Sequence, residues 1–357
     1  MAETAARPGS RDQRSTADAT GVVVLGACAV WALVSATARD GRPEGVLLAV
    51  LAVAAGHAGG RISGALLPAG AFACASVAGV ALAAVSVATS DVPGAGTTSP
   101  LGHTGAAAAL LILTTGAACC GAWSTDRPAA RIGLRLLAAG ITVAAAAVGS
   151  TAALVACAGI VLLSVAAARM RRRTVGLAGL ALVTALVSGV SLAVAEDVLP
   201  HELTVSLEGP LTQHRVLLWQ DAVDLAKDEP VLGSGPGRFG ELSVTAGQTL
   251  DSDGRPHSAP LQQAAEQGVV GVVLLAAAFG WLLLSLSRAP RGTPLVLTAA
   301  ATLSALAAVA AVGNALSFTP VTAGAGLLVG LSTARPLNDD LPPPHTDPSV
   351  RPGRLPQ

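Results

Sequence analysis

Ten apolar runs, written mainly in Ala, Val, Leu and Gly and parted by short polar breaks, fall near residues 21–38, 45–60, 64–89, 105–123, 132–149, 151–168, 174–194, 268–287, 293–313 and 315–333. Most approach the roughly 17 to 25 residues that a helix needs to cross a hydrocarbon core. The second run is short, the third is long enough to tilt, and only Gly149 and Ser150 part the fifth from the sixth. The pattern predicts an all-α, polytopic integral membrane protein of about ten transmembrane helices. Helices 1–7 take up 21–194, helices 8–10 take up 268–333, and the polar segment 195–267 forms one long loop containing short helices. Residues 1–20 and 334–357 are polar or proline-rich and are expected to be disordered tails, since neither can bury a core.

Composition agrees, because 52% hydrophobic residues, 12% charged residues and a mean hydropathy of +0.62 are too apolar for a soluble domain of 357 residues. The formal charge of zero, with arginines scattered between apolar runs, argues against a nucleic-acid partner. The partner implied by composition is the lipid bilayer. All five cysteines fall inside apolar runs, where a thiol behaves as a small hydrophobe, and their spacing fits neither disulfides nor metal ligation.

Short cytoplasmic loops collect basic residues. With the N-terminus inside, that side receives Arg7, Arg11, Arg14, Arg61, Arg127, Arg131, Arg169, Arg171, Arg172, Arg173, Arg288 and Arg291, and the other side only Arg39 and Arg42 in short loops. The expected setting is therefore the cytoplasmic membrane, with both termini cytoplasmic and the 195–267 loop extracytoplasmic. The first run follows three arginines and ends in Ala36-Thr37-Ala38, which resembles a cleaved signal. A retained helix is the preferred reading, because cleavage would upset the charge agreement.

The long loop is where ionisable groups can meet water and substrate at low cost. From Thr212 to Lys227, the apolar positions Val216, Leu217, Trp219, Val223 and Leu225 or Ala226 predict an amphipathic helix near the membrane surface, capped by Thr212 and stopped by Pro230. Arg215 falls in its first turn, where backbone N–H groups favour an anion. Trp219, four residues on, shares its face and pins it to apolar surface. Arg215 either faces a phosphate or pairs with Asp221, Glu208 or a lipid headgroup.

The run Gly233-Ser-Gly-Pro-Gly-Arg-Phe239 combines backbone freedom with the Arg238 guanidinium, so the amides around Gly235 and Gly237 could cradle a phosphate. It lacks the Gly-Lys-Ser/Thr ending of a P-loop and has no preceding strand. His257 precedes Ser258-Ala-Pro260, a helix start leading through Gln262, Gln263 and Glu266 into the eighth span. There it is either a general base or a solvated loop histidine. Asp251 and Asp253 read as an acidic turn, with metal ligation as the alternative. Glu266, where the chain enters the membrane, either orients His257 or faces water. His57, His103 and Arg135 lie near span ends and need no role beyond interfacial solvation.

In order and spacing, Arg215-Val-Leu-Leu-Trp219, Glu229-Pro-Val-Leu-Gly-Ser-Gly-Pro-Gly-Arg-Phe239 and His257 with Leu261, Glu266, Gly268 and Gly271 resemble the O-antigen ligase and polymerase family. The resemblance covers the loop and the adjoining eighth span. It implies a polytopic glycosyltransferase of the GT-C type that takes a polyprenyl-pyrophosphate-linked glycan as donor. Arg215 matches the family arginine before the Trp, Arg238 falls in the glycine-rich segment, and His257 matches the family histidine. Ser258 stands where family members usually carry Asn, and Pro260 where they carry an aromatic.

The implied reaction is transfer or polymerisation of the glycan onto an acceptor hydroxyl, inverting and without cofactor or obligatory metal. His257 and Arg215 would be catalytic, Arg215, Arg238, Gly235 and Gly237 would bind the pyrophosphate, and Trp219, Ser258 and Glu266 would support them. The acceptor is unassigned. Two other readings stay open: a transporter or exporter of lipid-linked glycan, and a catalytically inactive assembly subunit.

Overall fold

A computed structural model describes residues 9–88, 100–196, 213–248 and 254–335, and every regular element among them is helical. Before the loop come α1 (Gly9–Arg39), α2 (Glu44–Leu66), α3 (Gly70–Ala88), α4 (Pro100–Ser124), α5 (Pro128–Ala147), α6 (Thr151–Ala167) and α7 (Arg173–Ala195). The loop holds α8 (Gln213–Asp228) and two single turns, α9 (Phe239–Leu242) and α10 (Val244–Gly247). After it come α11 (Ala259–Ser287), α12 (Thr293–Ala311), a 3-10 turn Ala315–Ser317, and α13 (Thr319–Thr333). In lipid each backbone polar group must be satisfied within the chain, and helices do this locally.

All ten apolar runs become helices, yet eight of them, α1 to α5, α7, α11 and α12, are long and apolar enough to cross a membrane. The sixth and tenth runs give helices of 17 and 15 residues. Local punctuation trims them. Gly149 at φ 74° ends the α5 turn, and the Ser150 hydroxyl then caps α6 by accepting from the Ala153 amide at 3.2 Å. Prolines near the first turn open α5, α11, α12 and α13, where the missing N–H costs no helical bond.

Two expected boundaries move. The break between the second and third helices lies at residues 67–69, beside Pro68, so the second helix is longer and the third shorter than the hydropathy suggests. Residues 9–20, expected to be disordered, extend α1 instead. Their anchors lie elsewhere in the chain: Asp18 pairs with Arg61 at 2.5 Å, and the Ala17 carbonyl accepts from Trp281 Nε1 at 3.0 Å. Residues 1–8 and 336–357 fall outside the described residues.

α4 is the central helix, with 94% of its spanning window buried, and α12 lies beside it at 72%. The outer helices turn valines and leucines outward, among them Leu136, Val143 and Leu162, as a hydrocarbon solvent requires. Close packing relies on small residues. A β-carbon at Gly60 of α2 would lie 2.4 Å from the Leu327 carbonyl oxygen, and one at Gly330 of α13 would lie 2.2 Å from that of His57. Without these glycines the two backbones could not touch.

Candidate active site

The loop is attached to the bundle through a break in α11. Gly268 has φ 65° and ψ −165°, a conformation open essentially to glycine alone, and it interrupts the helix. A break frees carbonyls, which then need donors. Ser234 N–H donates to the Ala265 carbonyl at 2.8 Å, Gly235 N–H to that of Glu266 at 2.9 Å, and Trp31 Nε1 to that of Gln267 at 3.1 Å. In return the Val269 amide donates to the Pro230 carbonyl at 2.9 Å. The glycine-rich run is thus clipped onto the kink.

Glu266 completes the attachment. The residue is 3% exposed, and burial pushes its carboxyl up from the ordinary range while the nearby Gly237 backbone, the Gln262 side chain, Arg255 and the Phe239 backbone pull it back; Gln262 Nε2 donates to its Oε1 at 3.3 Å. This changes the expected phosphate cradle at Gly235, whose amide donates to the Glu266 carbonyl. The glycines permit close approach to the protein's own backbone instead. A β-carbon at Gly235 would sit 2.9 Å from Arg39 Cβ, and one at Gly237 would sit 3.2 Å from the Arg42 carbonyl oxygen. Glu266 holds the loop that carries Arg238, a part not foreseen for it.

The amphipathic helix forms over Gln213–Asp228, with Thr212 and Glu208 outside the described residues. Its buried face is Leu218, Trp219, Ala222 and Val223, while Leu217 is exposed. The Trp219 ring is wholly enclosed by protein, so the apolar surface to which it pins the helix is the protein's own. Asp221, one suggested partner of Arg215, accepts instead from Ser243 Oγ at 2.5 Å and from the Thr245 amide at 2.9 Å.

One apolar cluster ties the three candidate catalytic segments together. It joins Trp219, one turn beyond Arg215, to Phe239, next to Arg238, and to Leu261, one turn beyond His257, with Val194 and Ala195 of α7 closing it. The backbones agree: a β-carbon at Gly240 would lie 2.8 Å from Gly254 Cα, so the chain just past Arg238 runs against the chain just before His257. Arg215, Arg238 and His257 are held at the same end of the bundle by different elements.

Arg215 Nη1 donates to the Val312 carbonyl at 3.2 Å, at the C-terminal end of α12 where partial negative charge gathers. None of the four ion pairs among the described residues includes it. Burial pushes its pKa down from the ordinary arginine value, so its charge lacks full compensation. A bound anion would supply that compensation. Arg238 Nη1 donates to the Arg39 carbonyl at 2.6 Å, and its Nε lies 3.9 Å from Glu241 Oε2.

His257 is half-buried, and at φ 52° it occupies the left-handed region that non-glycine residues enter rarely. Ser258 follows as the helix N-cap residue, but its hydroxyl makes no capping bond. That Oγ and Trp219 Nε1 are buried and without hydrogen-bond partners among the described residues. Each such orphan costs about 1–3 kcal/mol, and groups of this kind concentrate at working sites. Asp251 and Asp253 lie outside the described residues. Among those that are described, no group of three or more His, Cys, Asp or Glu comes together in a way that could hold a metal.

Sequence reasoning missed the α1–α2 turn. Arg39 pairs with Glu229, Arg42 pairs with Glu241 at 2.6 Å, and the Arg42 amide donates to the Pro236 carbonyl at 2.6 Å. The signal was present, since these were the only arginines in short loops on the long loop's side. His57, assigned no role, meets Trp281 edge-on at 5.3 Å at the far end of the bundle, in a cleft with Asp18 and Arg61. Arg135 lies over the Trp123 ring, 5.6 Å from its centroid.

A helical bundle with eight helices long and apolar enough to cross a membrane, carrying a clipped polar loop at one end, defines a multi-pass membrane protein. Residues 134–276, which hold Arg215, Arg238 and His257, match the family model described as O-antigen ligase. That segment is similar to the O-antigen ligase family, in keeping with the resemblance of the loop motifs. No curated protein matches the chain.

Proposed function

We propose that the protein transfers or polymerises a glycan from a polyprenyl-pyrophosphate donor onto an acceptor hydroxyl on the outer face of the cytoplasmic membrane. The observation that carries this reading is the single apolar cluster fastening the segments of Arg215, Arg238 and His257 together within the matched domain. His257 takes the proton from the acceptor hydroxyl as its oxygen attacks the anomeric carbon. The bond from that carbon to the pyrophosphate breaks on the opposite face, so configuration inverts. Negative charge growing on the leaving group is met by Arg215 and Arg238, and the reaction needs no metal. The bias of the short-loop arginines supports the outward placement of the loop.

The test is reconstitution of the full chain with a polyprenyl-pyrophosphate glycan and candidate acceptors, following release of the lipid pyrophosphate. His257→Ala and Arg215→Ala should each lower turnover by at least about a hundredfold while the protein inserts and melts normally. Unchanged turnover in both variants removes the reading. Dependence on added metal would redirect attention to Asp251 and Asp253.

A further inference from the structure

At the rim of the loop a carboxylate stands between two guanidinium groups contributed by different parts of the chain. Glu241 Oε1 accepts from Arg42 Nη2 at 2.6 Å, while its Oε2 lies 3.9 Å from Arg238 Nε. The arginines are held through backbone. The Arg42 amide bonds Pro236, and the Arg238 guanidinium is gripped by the Arg39 carbonyl. A β-carbon at Gly41 would lie 2.8 Å from Pro236 Cδ, so the turn and the loop are in direct contact. Arg39 itself is engaged with Glu229. The Glu241 side chain has no such grip: it is 51% exposed, and its partner Arg42 is 71% exposed.

An ion pair this open to water contributes about 0–1 kcal/mol, so a ligand of higher charge displaces it at small cost. A diphosphate matches the arrangement, because it presents several anionic oxygens where the carboxylate presents two. We propose that Arg42 and Arg238 form one subsite for a diphosphate group and that the Glu241 carboxylate is its resident stand-in, swinging away when the ligand arrives. Arg42 thereby becomes a substrate-binding residue from outside the long loop. Identifying the ligand with the donor's pyrophosphate rests on the reading above, whereas the subsite itself does not.

The test uses the purified full chain and two probes, inorganic pyrophosphate and a short polyprenyl diphosphate, with affinity read by calorimetric titration. Glu241→Gln removes the competing charge and should tighten both probes by about threefold to tenfold. Arg42→Ala should weaken both by a similar factor, with partial rescue by Arg42→Lys. In turnover, Glu241→Gln should lower the donor KM and leave the acceptor KM unchanged. A merely structural Glu241 gives the opposite sign. Unchanged or weaker binding in Glu241→Gln, or wild-type binding in Arg42→Ala, overturns the subsite. If the affinities shift as expected while His257→Ala still turns over, the subsite stands and the glycosyl-transfer reading falls.

Discussion

Replacing Gly268 by Ala tests the clip that attaches the loop to the membrane bundle. At φ 65° and ψ −165°, an alanine there is strained by roughly 1–3 kcal/mol before any contact is considered. Its β-carbon would also lie 2.3 Å from the Val231 carbonyl oxygen and 2.7 Å from that of Pro230, and both are backbone atoms with nowhere cheap to go. Relieving the clash parts Val269 N–H from Pro230, and relaxing the kink removes the reason for the bonds from Ser234 and Gly235. At about 1 kcal/mol for each of the three bonds, the attachment weakens by roughly 4–6 kcal/mol in all. Because the loop can lift while the helices stay packed, the effect should be local. Hydrogen exchange in detergent should show amides of 213–248 losing protection while those of α4 and α12 keep theirs, with turnover falling in step. Gly280→Ala in the same helix is the control, since a β-carbon there meets nothing within 4 Å. A Gly268→Ala protein with wild-type loop protection would refute the clip.

Other perturbations probe the remaining supports. Trp219→Ala empties the largest fully buried side chain and should destabilise the loop by about 3–5 kcal/mol, seen as faster proteolysis within 213–248 before the bundle melts. Gly60→Leu places side-chain atoms where the Leu327 carbonyl now sits, so α2 and α13 should separate and the melting temperature should fall markedly; a stable variant would show that the contact is not close packing.

Helix identity was legible because hydropathy reports directly on the lipid solvent, and all ten runs are helical. Helix length was less legible, since Ser150, Gly149 and Pro68 set boundaries through caps and breaks that an average over apolar residues smooths away. The α1 extension was hidden for another reason: what holds residues 9–20 comes from Arg61 and Trp281, far along the chain.

Within the site, the motif residues were found by type and order, but their geometry was not. A glycine-rich run reads the same whether its amides face a ligand or the protein's own carbonyls. The arbiter was Glu266, 29 residues beyond Gly237, a buried residue that lies against the glycine-rich run and whose carbonyl accepts from the Gly235 amide. The consequence reaches the chemistry. With the Gly235 amide engaged, the proposed recognition of a diphosphate falls to the guanidinium groups, and their positions depend on carbonyls at two helix ends, Val312 for Arg215 and Arg39 for Arg238. Two cations held by separate helices can change their spacing only if the helices or the loop move. A loop clipped at Gly268 and fastened by Trp219 therefore favours one spacing, which a diphosphate either fits or does not.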